Sequence, residues 1–194
     1  MTSTTGRANQ KRRTHKAILQ AATELIRTGR EVTMPEVAKA ALVSEATAYR
    51  YFPDLASLLQ EAMAGQMPTP ADALAPVAGS RDPVERVAVA TEHLLRHVHA
   101  YQGAVRAMIA ATITRPGTGL PRPGLRVDLI DHALAPLAET AHPATLTQLK
   151  RDLGVVVSAE AFFTLTDLYR LSPDDAIASI VHTATALTGL RSSG

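Results

Sequence analysis

The stretch from Thr33 to Phe52, TMPEVAKAALVSEATAYRYF, constrains this chain more than any other. It holds two short helical patterns joined by a tight turn. Thr33 can cap the first helix, and Pro35 falls in its first turn, where a missing N–H costs little. Val37, Ala38 and Ala41 then share one face, and the small Ala38 lets a second helix cross close by. Leu42 and Val43 form the turn, with Val43 pointing inward. Ser44 caps the second helix, whose inward positions are Ala48 and Tyr51 or Phe52. Glu45, Ala46, Thr47, Tyr49 and Arg50 are left facing outward. Two helices crossing on small residues, the second with an outward polar face, are the physical description of a helix-turn-helix.

Charge is distributed to match. Residues 1–60 carry nine Lys or Arg against five acids, a net +4, and the remaining 134 residues carry eleven against thirteen, a net −2. Positive charge gathered at one end favours a polyanionic partner there. Lys11, Arg12, Arg13 and Lys16 crowd the start of a helix expected over 11–29, the unfavourable end for cations. Phosphate binding is the use that explains them. Within the second helix, Arg50 and Tyr49 suit phosphates or bases, and Thr47 suits a base edge or a thymine methyl. Ser44 and Thr33 offer hydroxyls and helix N-terminal amides to phosphate. Glu45 repels phosphate unless it meets a cytosine amine or a nearby cation.

Hydrophobic residues make up 46% of the chain and aromatics only 4%, as in closely packed helices rich in Ala and Leu. Proline clusters separate the helical patterns, so the expected fold is all-α, with about nine helices. Residues 1–10 are expected to form a disordered arm. Residues 1–64 make a DNA-binding domain, 65–81 a Pro- and Gly-containing linker, and 82–194 a second helical bundle. In that bundle Val84, Val87, Thr91, Leu94 and Val98 form one inward stripe. A helix over 125–137 points Val127, Ile130 and Leu134 inward. Pro143 starts the longest helix, which runs to about Leu171 through Gly154. Ser172-Pro173-Asp174-Asp175 opens the last helix, and Gly189 stops it. There are no cysteines, which fits a reducing compartment. No signal peptide or long apolar run is evident, so a cytoplasmic protein is expected.

Three further clusters invite a chemical reading. His93, His97 and His99 lie late in one helix, with His93 and His97 on one face as in zinc pairs. No third well-placed ligand accompanies them, so a solvated face or a pocket wall is the stronger expectation. Asp128, Asp131 and His132 resemble an acid–base group, but no nucleophile, phosphate loop or metal motif stands near. This pattern argues against an enzyme, and no cofactor is expected. Residues 153–171 are apolar on most sides, which points to a subunit interface shared with the last helix. Val156, Glu160, Phe163, Ile177, Val181 and Ala184 are its candidates, with Glu160 either pairing or facing a ligand.

The run AALVSEATAYRYFPDLASLL, preceded by a basic helix, resembles the N-terminal domain of TetR-family transcriptional repressors. The likeness rests on the Val43-Ser44 turn, the S-x-x-T-x-Y-R-Y-F pattern of Ser44–Phe52 and the leucine-rich helix after Pro53. It is close over about the first third of the chain. The chain departs from the family at Leu42, where glycine is usual, and at Glu45 and Leu55, where lysines are common. Two phosphate contacts are thereby lost. The resemblance implies a backbone contact by Tyr51, dimerisation through the last two long helices, and a palindromic operator bound one subunit per half-site. It also implies a C-terminal pocket for a small apolar effector that releases the DNA, for which Tyr101, Met108, Phe162, Phe163 and Thr166 are candidates. The alternative is a helical small-molecule- or metal-binding protein whose DNA-binding domain has weakened.

Overall fold

The computed structural model describes residues 3–64, 69–114 and 125–192, and every regular element among them is helical. The chain divides into two compact units. The first holds α1 (Ser3–Ile26), α2 (Met34–Ala40), α3 (Glu45–Tyr51), α4 (Leu55–Ala64) and α7 (Gln102–Thr114). Its core is built from Ile18, Ala22 and Ile26 of α1, Val37 and Ala38 of α2, Ala48 of α3 and Leu58, Leu59, Ala62 and Met63 of α4. Ala104 and Met108 of α7 complete it. α7 follows the expected linker in sequence, yet it packs on α4.

Local chemistry explains why each helix begins where it does. The Thr33 hydroxyl accepts the Glu36 N–H while the Glu36 carboxylate accepts the Thr33 N–H at 3.0 Å, a reciprocal cap for α2. Ser44 accepts the Thr47 N–H at 3.2 Å and caps α3. Asp54 accepts the Ser57 N–H at 2.8 Å ahead of α4. α2 ends in a Schellman motif, in which the Val43 N–H donates to the Ala38 carbonyl (3.0 Å) and the Leu42 N–H to that of Lys39 (3.2 Å). This geometry puts Leu42 at φ 56, so the left-handed position is taken by leucine in place of the usual glycine. A left-handed L residue costs about 1–2 kcal/mol.

One expectation for this unit fails. Residues 3–10 are helical rather than a disordered arm. They contain no proline, and the backbone simply propagates past Lys11 in solvent, with Asn9 Oδ1 accepting from Arg12 and the Gln10 carbonyl from Thr14. No apolar repeat was needed to make this turn, which is why none marked it.

The second unit holds α5 (Pro70–Ala73), a single 3-10 turn at Ala75–Val77, α6 (Pro83–Ala100), α8 (Leu125–Ala133), α9 (Ala135–Ala138), α10 (Pro143–Val156), α11 (Ala159–Asp167) and α12 (Pro173–Ser192). Val87, Thr91, Leu94 and Val98 of α6 are buried as the stripe requires. Within it Arg86 is buried too, and its guanidinium donates to four carbonyls. Nε reaches Ala133 at 3.0 Å, Nη2 reaches His132 at 2.8 Å, and Nη1 reaches Val77 and Ser80 at 3.2 and 3.3 Å. One side chain thus satisfies the end of α8 and the turn before α6.

Three predicted helices differ in detail. The helix over 125–137 is interrupted at Leu134, because Pro136 cannot supply the N–H that would continue α8. Its buried face is Leu129, Ile130 and Ala133, leaving Val127 57% exposed. The long helix over 143–171 is two helices. α10 ends at the β-branched run Val155-Val156-Val157, and Ser158 in extended conformation caps α11 by accepting the Ala161 N–H at 3.0 Å. Gly189 does not stop the last helix, since α12 continues to Ser192. Ser172 caps α12 as expected, accepting from Asp175 N–H at 3.1 Å.

Candidate nucleic-acid interface

α3 presents its outward residues as its capping dictates. With Ala48 fully buried against the first unit's core, Glu45, Ala46, Tyr49 and Arg50 are exposed and Thr47 is half-buried. The Ser44 and Thr47 hydroxyls lie 2.9 Å apart, one hydrogen bond linking the cap to the first turn. Glu45 stands in the first turn, where an acid is favoured by the helix dipole. At the other end the Arg50 guanidinium lies over the Tyr51 ring, 5.7 Å from its centroid.

The C-terminal end of α3 and the N-terminal half of α1 enclose an open cleft of about 450 Å³, lined by Gln10, Lys11, Thr14, Arg50 and Tyr51. It brings an ammonium and a guanidinium to one concavity together with hydroxyl and amide donors, a donor set suited to a phosphate. Lys11, Arg12 and Arg13 are all exposed. Gln10 was not anticipated because 1–10 was assigned to an arm, and Thr14, inside the expected helix, was not singled out. His15 was also missed. Its ring stacks on Phe52 with centroids 4.8 Å apart, and its Nε2 lies 3.5 Å from Glu61 of α4, fixing the end of α3 against its neighbours. Thr33 stands apart from this group, because its hydroxyl donates to Glu36 at 2.8 Å.

The other candidates fall as follows. Met108 is buried in the core of the first unit, with Tyr101 packed against it. Phe162 and Phe163 are buried in the second, edge to face at 5.7 Å, and the Thr166 hydroxyl donates back to the Phe162 carbonyl. Of the interface set, Phe163, Ile177 and Ala184 are covered within a single protomer, so they are not surface offered to a partner. Val156, Glu160 and Val181 are half-buried, and the Glu160 carboxylate lies 3.7 Å from Arg126.

His93 carries a buried Nε2 with no hydrogen-bond partner among the described residues. Burial, and then the neighbouring His93, hold His97 below its usual pKa. The His99 ring lies 6.0 Å from that of Phe162. No group of three metal-ligating side chains comes together among the described residues. Asp131 is paired with Lys150 at 2.9 Å, as expected for a solvated face.

Comparison with known proteins follows the same lines. Residues 18–62 match the family model described as bacterial regulatory proteins, tetR family. A TetR transcriptional regulator from Rhodococcus sp. RHA1 has a similar crystal structure, with a TM-score of 0.55 at 26% identity over 92% of this chain and 97% of that one. No curated protein matches the chain.

Proposed function

We propose that this chain, which belongs to the TetR family of transcriptional regulators, is a homodimeric repressor that binds palindromic operator DNA and is released by a small apolar effector. The observation that carries the reading is the cationic cleft. Lys11 and Arg50 converge across it from two helices, beside an exposed α3 face with Ala46, Tyr49 and the half-buried Thr47. Phosphate contacts from the cleft would fix register on the duplex, and α3 would read base edges in the major groove. Ser44 and Tyr51 would add backbone contacts, and Arg12 and Arg13 charge.

Dimerisation is supported by the outer face of α12. Ala178, His182, Ala186 and Leu190 recur every fourth residue and are exposed, with Ser179 and Thr183 beside them. Small side chains on such a face let a second helix approach closely. An effector bound in the second unit, with Phe162, Phe163 and Thr166 as candidate neighbours, would act by favouring a dimer geometry that no longer fits both half-sites. No helix among the described residues is long and apolar enough to cross a membrane, and we place the protein in the cytoplasm with its DNA.

The test is fluorescence anisotropy on DNA from upstream of the protein's own gene, at several salt concentrations and with random competitor. Tight binding that survives competitor supports the reading. If a random-sequence selection also yields no enriched duplex, the reading fails and a bundle with a weakened DNA-binding domain takes its place.

A further inference from the structure

We infer that Leu42 is a specificity residue of the reading head, packing on the C5 methyl of a thymine; this rests on the operator-binding reading above. Three observations meet at this position. Leu42 occupies the left-handed C′ site of the α2 Schellman motif at φ 56, where a glycine would be unstrained and a leucine is not. Its side chain is 93% exposed, so no contact within the described protein offsets that strain. It also lies two residues before Ser44, the cap of α3, at the helix end that enters the major groove when a helix-turn-helix docks.

A strained residue whose side chain gains nothing from the fold is a reason to look for function at that position. The partner chemistry follows from the surroundings. Cations at Lys11, Arg12, Arg13 and Arg50 favour a polyanion, and the one apolar group that a duplex displays in its major groove is the thymine methyl. Exposed Ala46, the second residue of α3, adds a second small apolar surface at the same end.

The experiment uses full-length protein and duplexes selected from a random pool by the wild type. Leu42→Gly and Leu42→Asn both tolerate the left-handed backbone, so both fold. Each should melt no lower than wild type and bind the selected duplex roughly tenfold more weakly per reading head. Replacing thymines singly by uracil deletes only the methyl. At one position this should weaken wild-type binding about fourfold and leave both variants unaffected. Variants that bind as tightly as wild type, or a uracil effect equal in all three proteins, would overturn the inference. A pool that yields no enriched duplex would overturn the operator-binding reading itself, and this inference with it.

Discussion

Gly103 and Gly154 both lie in helices, and the same substitution should move them in opposite directions. A Cβ added at Gly103 would stand 2.0 Å from the Arg30 carbonyl oxygen, 2.4 Å from its carbon and 2.9 Å from the Glu31 nitrogen. Ordinary contact begins near 3.4 Å, so α7 and the α1–α2 connection must separate by at least about 1.4 Å. All three obstacles are backbone, and none can rotate aside. The segment has little room to retreat, because it is held between Gly29 at φ 69 and the reciprocal cap at Thr33. Moving α7 instead would lift Ala104 and Met108 from the core they close. Overpacking of this kind costs about 1–3 kcal/mol or more, against which alanine returns about 0.5–1 kcal/mol of helix preference. A net loss of about 2 kcal/mol follows, or roughly 10 °C in the melting of a unit this size. At Gly154 nothing lies within 4 Å of the added carbon, so Gly154→Ala should gain about 0.5–1 kcal/mol. Thermal melting followed by circular dichroism reads both. If Gly103→Ala melts within about a degree of wild type, the close approach of α7 to residues 30–31 is refuted.

Arg86→Met leaves four carbonyls without their donor and should destabilise the second unit by about 3 kcal/mol in denaturant titration, with Arg86→Lys recovering only part because an ammonium cannot span all four. Thr33→Val removes the hydroxyl half of the α2 cap, leaving only the backbone N–H bond to Glu36, and should cost about 1 kcal/mol. His97 is held below its ordinary value of 6.5, so the unfolded chain takes up this proton first as pH falls. Stability present above that value should therefore decline below it and level off once folded His97 protonates. Melting at about pH 7.5 and about pH 5.5 should show the decline, and His97→Gln should reduce it. Arg50→Ala should weaken binding to every duplex and lower the salt slope by about one per reading head, whereas Thr47→Ala should change sequence preference; two unchanged profiles would displace α3 from its reading role.

What the sequence revealed was local chemistry. Thr33 with Glu36, Ser44 with Thr47, and Ser172 with Asp175 are pairs three residues apart, and each capped a helix where its spacing placed it. What it concealed depended on packing between distant segments or on its absence. The break at Ser158 fell inside an apolar run read as one helix through Gly154, and in the fold the two halves, α10 and α11, each pack on α12. Val127 and Leu129 flank Ile130 on opposite sides of the helix, and packing buried the Leu129 side. Residues 3–10 are helical with Gly6, Ala8, Asn9 and Gln10 exposed, a surface that leaves no apolar period.

The candidate site combines both cases. The outward face of α3 was legible, since the helix is short, capped and anchored by one small residue, Ala48, which fixes the direction of the other side chains. The cleft was not, because Lys11 and Arg50 are separated by four helix ends and two left-handed positions, Gly29 and Leu42. The cleft depends on the turn at the second of these. The Schellman geometry at Ala38–Val43 sets the angle at which α3 leaves α2, and His15 on Phe52 fixes where α3 ends. A leucine can hold the turn only under strain, so relieving the strain with glycine and measuring DNA binding separates what the fold requires from what the reading head requires.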